Sequence, residues 1–121
     1  GYRTRHALVP HGMSVILTAP ASFRFTYATS PERHLRAAEL LGMPVRDMGD
    51  AGRREALPRA LMSLMRDVGI PNGLTAVGYA ERDVPALVEG TLRQPRLLSG
   101  APRPVGAPEL EWILRDAMQY W

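Results

Sequence analysis

Three histidines, His6, His11 and His34, are the side chains best suited to ligate a metal, and His11 has the most constrained setting. It stands in His6-Ala7-Leu8-Val9-Pro10-His11-Gly12-Met13. Proline fixes the backbone just before it, and glycine follows where a chain often turns into a new element. An imidazole at the mouth of a helix meets the positive end of the helix dipole. That disfavours the protonated ring and leaves the neutral nitrogen a metal needs. One imidazole is not a site, because a stable one takes three or four protein ligands. His6 lies five residues earlier, outside the i, i+4 pairing of helical metal motifs, so the two could share a site only within a loop. On residue type alone, a capping or hydrogen-bonded His11 is favoured over a ligating one. His34, beside Leu35 and Ala38, reads as a packed or hydrogen-bonded histidine.

Other chemistries lack their residues. Cysteine is absent, which excludes disulfides, thiolate metal sites and thiol nucleophiles. All 15 basic residues are arginines, so no Schiff-base or phosphate-loop lysine exists. There is no His-Glu-x-x-His pair, no Gly-x-Ser-x-Gly elbow and no Gly-x-Gly-x-x-Gly loop. The formal charge of +3 raises the question of nucleic acid. The arginines are scattered, however, and several follow an acid by one helical turn: Glu32–Arg36, Glu55–Arg59 and Glu111–Arg115. Such pairs support exposed helix faces, and no nucleic-acid partner is expected. No apolar run is long enough to span a bilayer, and no secretory signal opens the chain, so a cytoplasmic setting is expected. Asn72-Gly73 and Ser99-Gly100 read as turn chemistry.

The elements that must position His11 follow from spacing and from proline and glycine. The 121 residues, 45% apolar, suffice for one small domain with a modest core. Residues 12–28 are densely apolar; β-branched residues at Ser14–Thr18 also suit a buried strand. Ser30-Pro31 predicts an N-cap and first helical residue, and Gly42 with Pro44 predicts the stop. Leu57, Ala60, Leu61, Leu64, Met65 and Val68 share one face of a helix over 50–68. Pro58 should bend it or start its straight part, and Gly69-Ile70-Pro71 should end it. A shorter helix is expected over 81–93 and a loop over 95–108. A last helix from about Pro108 should carry Leu110, Ile113, Leu114, Ala117 and Trp121 on one face. The fold class is all-α, a bundle of about five helices whose core includes Leu61, Leu64, Met65, Ile113 and Leu114.

Several segments in order carry a resemblance. Pro10-His11-Gly12, Leu17-Thr18-Ala19-Pro20, Phe23-Arg24-Phe25-Thr26 and Ser30-Pro31-Glu32-Arg33-His34-Leu35 come first. Gly69-Ile70-Pro71-Asn72-Gly73-Leu74, Asp83-Val84-Pro85-Ala86-Leu87-Val88 and Gly90-Thr91-Leu92-Arg93-Gln94-Pro95 follow. The chain resembles the C-terminal third of iron-containing alcohol dehydrogenases, nearest the hydroxyacid-oxoacid transhydrogenase branch. The resemblance implies a buried first helix, kinked or interrupted at Pro20, within a dehydroquinate synthase-like α-domain. Residues 1–121 would form a single helical domain, with the nicotinamide-binding α/β domain upstream and absent here. A start at Gly1 fits a piece of something longer as well as a processed terminus. By the same resemblance His11 ligates a divalent metal, iron or zinc, together with upstream residues. The turn Gly100-Ala101-Pro102-Arg103 would lie near the cleft, with Leu97 lining a substrate pocket, whereas residue type alone makes core packing the default for that leucine. The full-length enzyme would move hydride between an alcohol or hydroxy acid and a carbonyl acceptor or nicotinamide. The isolated chain would be inactive, paired with its missing N-terminal part or self-associated. Two rivals stand beside this reading: a non-catalytic helical interaction module, and part of a metal-independent maleylacetate reductase-like enzyme.

Overall fold

The computed structural model describes residues 9–121. Helix α1 begins at His11 and runs to Thr26. Pro10 precedes it in an extended conformation, and no side chain caps its first turn. Ser14 instead ties that turn inward, its N–H on the Pro10 carbonyl and its hydroxyl donating to the His11 carbonyl at 2.7 Å. The β-branched run at Ser14–Thr18 is therefore helical, and among the described residues no strand forms. Of the kink or interruption expected at Pro20, no interruption is found: α1 passes through it without a break. Pro20 is fully buried, so tertiary packing holds the turn that a missing N–H weakens.

Helices α2 (Pro31–Leu40) and α3 (Asp50–Asp67) follow, then α4 (Val84–Leu92), α5 (Pro95–Leu98) and α6 (Ala107–Asp116), with 3₁₀ turns between several of them. Gly42 at φ +90° and Gly69 at φ +72° end α2 and α3 in the left-handed conformation that glycine accepts without strain. After Gly69 the Ile70 amide reaches back to the Met65 carbonyl at 2.8 Å, and its side chain packs on the cluster holding Met65. Ser30 occupies the N-cap position of α2, but its hydroxyl makes no capping bond. Its carbonyl serves the helix instead, accepting from His34.

Helix α1 packs against α3 and α6, α4 against α6, and α2 against α3. The main core gathers Leu17 and Ala21 of α1, Met65 of α3, Val84 and Val88 of α4, and Leu110 and Leu114 of α6. A smaller core joins Ala38 of α2 and Val45 to Ala56 and Leu57 of α3.

Three expectations need correction. Leu64 is 44% exposed, not part of the core. It shares an angular face with Leu57 and Ala60, but α2, at ten residues against eighteen, spans only about 15 Å of a helix some 27 Å long. Its cluster meets α3 at Ala56 and Leu57, and Leu64 lies beyond that cover. Residues 95–108 are not all loop, since Pro95 starts the short α5 and Leu98 packs on the main core. Trp121 is not on α6, which ends at Asp116. Residues 117–121 turn back toward Asn72.

Candidate functional site

His11 is the first residue of α1 and is exposed to solvent. Among the described residues, no three histidine, aspartate or glutamate side chains gather as they would around a metal. The donor set at His11 is one imidazole, competent as a single ligand and insufficient as a coordination shell. His6 lies outside the described residues. His34 is excluded by its bonds: its Nδ1 donates to the Ser30 carbonyl at 2.8 Å, and its Nε2 pairs with the Thr26 hydroxyl at 3.0 Å. Phe23 and Tyr27 stand edge-on to the ring, with centroids at 5.6 and 5.8 Å. Both nitrogens are committed, Nδ1 within the first turn of α2 and Nε2 to the end of α1.

Leu97 is 66% exposed and lines a shallow apolar depression of about 380 Å³ with Ala86, Leu87, Gly90 and Leu98. A leucine so exposed does not serve the core of this chain, and the bulk of that wall faces outward.

What holds α1 in place is a polar arrangement on its inner side. Arg24 bridges Glu55 of α3 and Asp116 at the end of α6, each at 2.8 Å. Burial works against its charge, yet the bonds to Asp116 and Glu55 outweigh that and raise the guanidinium pKa. Tyr120 lies beside it, and its hydroxyl donates to the Leu17 carbonyl at 2.8 Å. Burial, followed by the charge of Asp116, pushes the phenol up to about 12.

Tyr120 arrives there because Asn72 captures the C-terminal turn. The Asn72 Oδ1 accepts from the Tyr120 amide at 2.8 Å and the Trp121 amide at 3.2 Å, while its Nδ2 donates to the Trp121 carbonyl. Leu74 and Thr75 donate their amides to the Ala117 and Met118 carbonyls at 2.9 and 3.1 Å. Gly73, at φ +72°, sits so close that a Cβ would meet the Met118 carbonyl oxygen at 2.4 Å. The residues that look like an ordinary turn are a receptor for the end of the chain. Spacing could not show this, since their partners lie almost fifty positions away; the Asn-Gly pair was its one local sign.

Comparison with known proteins agrees with this architecture. Residues 6–118 match the model of the Fe-containing alcohol dehydrogenase family, C-terminal. The mitochondrial hydroxyacid-oxoacid transhydrogenase of Pongo abelii is 44% identical over 122 residues, covering 99% of this chain and 26% of that protein. The Homo sapiens protein of that name is 43% identical with the same coverage. A solved structure described as 1,3-propanediol oxidoreductase superposes with a TM-score of 0.79 at 28% identity, covering 90% of this chain and 28% of that one. The chain thus spans about a quarter of the length of the relatives it matches. With an all-helical fold, a histidine opening its first helix and a family match over nearly its whole length, the chain belongs to the Fe-containing alcohol dehydrogenase family, of which it represents the C-terminal part.

Proposed function

We propose that the chain is the helical, metal-facing part of an iron-dependent alcohol dehydrogenase-type oxidoreductase, with His11 as one metal ligand. The observation that carries the reading is the end-to-end similarity to a quarter of the transhydrogenases, coupled to an exposed imidazole at the start of α1. In the full-length protein His11 would give one nitrogen, and the remaining donors and the nicotinamide would come from outside residues 9–121. When bound, a divalent metal, iron or else zinc, polarises an alcohol or carbonyl oxygen as a Lewis acid. This chain's own part is to hold His11 and to wall the cleft with Leu97. The substrate proposed is a small alcohol or hydroxy acid. Without the upstream part the chain transfers no hydride, because donor, acceptor and polarising group must be held together. The proposed setting is the cytoplasm, whereas the names of the relatives place those in mitochondria; fractionation of source cells decides between them.

The test is His11→Ala in the full-length polypeptide, followed by metal analysis after equilibrium dialysis. Bound metal and hydride transfer should fall together while the helical circular-dichroism signal is kept. A capping histidine would give lower stability with metal content unchanged, and that result removes His11 from the site. The 121-residue chain alone should bind iron or zinc only weakly, since a lone ligand leaves the ion mostly hydrated. Tight stoichiometric metal in the short chain would overturn the claim that the shell is incomplete.

A further inference from the structure

Pro20 lies inside α1 and has no N–H, so the Ile16 carbonyl loses its partner four residues on. The turn that joins the His11 end of α1 to its Arg24 end is therefore the weakest in the helix. A single hydroxyl spans that turn. Tyr120 donates to the Leu17 carbonyl on one side of Pro20 at 2.8 Å and accepts from the Ala21 amide on the other at 3.4 Å. The hydroxyl comes from a segment fixed independently of α1, through the Asn72 side chain and the Thr75–Met118 bonds. Arg24 lies 5.9 Å from the Tyr120 ring centroid, adding a contact on the C-terminal side of the turn. The phenol keeps its proton throughout the neutral range, as any tyrosine does, and burial pushes it further up, to about 12.

We propose that Tyr120 is a positioning residue: its hydroxyl braces α1 across Pro20 and so sets where the His11 end of the helix points. His11 stands nine residues before Pro20, about 13 Å along the axis at 1.5 Å per residue. A change in bend of about 10°, half the angle of a sharp kink, moves that end by about 2 Å. Metal–ligand distances tolerate only about 0.2 Å. The brace thus matters to ligation by a wide margin, a consequence that rests on the proposed role of His11. The mechanical claim does not, and it is tested without metal.

The chain has no cysteine, so spin labels can be placed without removing native residues of that type. Gly12→Cys on α1, where nothing lies within 4 Å of an added Cβ, and Ser63→Cys on the exposed side of α3 report the orientation of the His11 end. With labelled chains diluted into unlabelled ones, so that only distances within one molecule are read, pulsed electron–electron resonance should give a narrow distance distribution in this background. Adding Tyr120→Phe should broaden it and shift its mean by about 2 Å, the displacement of a modest change in bend. Adding Pro20→Ala to Tyr120→Phe restores an N–H to the ladder and should narrow the distribution again. A Tyr120 that only supplies stability would lower the melting temperature and leave the distances alone, which overturns the proposal. Broadening that persists with Pro20→Ala also overturns it. Should Tyr120→Phe fail to fold, Asn72→Ala, which releases the segment carrying Tyr120, makes the same test: broadening supports the brace and an unchanged distribution refutes it. Failure of the metal reading would appear only in metal content of His11→Ala and would leave these distances untouched.

Discussion

Asn72 spends its whole side chain on the last two residues of the chain, accepting from two amides and donating to one carbonyl. An aliphatic replacement leaves those groups without partners, so Asn72→Ala should cost about 2 kcal/mol, read from urea denaturation. Gly73→Ala should cost more, about 3 kcal/mol or above, because it adds a backbone clash to a left-handed φ. Tyr120 adds a pH signature. Its phenol ionises near the ordinary value of 10 in the unfolded chain and only at about 12 in the folded one. Between these values the unfolded state binds fewer protons, so stability is fully present below pH 10 and falls as pH rises toward 12. Denaturation midpoints measured across that window should decline in the native sequence. The decline should be shallower in Tyr120→Phe, which has no phenol to ionise.

At the scale of elements, contrast between neighbours on α3 tests the packing. Met65 is 1% exposed and lies in the main core, whereas Leu64 is 44% exposed. Met65→Ala should cost about 2–5 kcal/mol, and Leu64→Ala less than about 1 kcal/mol, because little packing is lost there. Equal costs in chemical denaturation would mean that Leu64 is covered. The same pair shows what was legible in the sequence. Helical period and the stops at Gly42 and Gly69 were local signals, and each survives in the structure. Period identifies the face of α3 but not how far along it a ten-residue partner reaches, so it assigns Leu64 to the core where the structure leaves it exposed. The Pro10-His11-Gly12 setting put His11 at a helix start, which the structure bears out, while its ligand role rests on the family alone. The brace at Tyr120 was invisible because it joins residues about a hundred positions apart. Composition also could not show that α1 runs unbroken through Pro20, a fully buried residue of a helix packed on α3 and α6.

The whole molecule keeps apolar side chains outside its two cores. On α1, Val15 is 55% exposed and Phe23 37%, although the neighbouring Ile16 is half-buried against the main core. Leu97 and Val68 are each more than 60% exposed, and Trp112 is 46% exposed. Scattered exposed apolar groups are ordinary in a folded protein, but a helix that presents Val15 outward one turn from the candidate ligand, with Phe23 partly exposed at its far end, fits a surface meant to be covered. In the proposed enzyme the upstream part covers it. The 121-residue chain alone should therefore self-associate as concentration rises, measured by sedimentation velocity, and should enhance the fluorescence of a hydrophobic dye. Val15→Glu, at an exposed position that the core does not use, should weaken association without lowering the helical signal. Coexpression with the upstream part should abolish dye binding as the face is covered. A chain that stays monomeric at high concentration with no dye response would mean that these residues form no adhesive surface, and the proposed cover would lose its physical support.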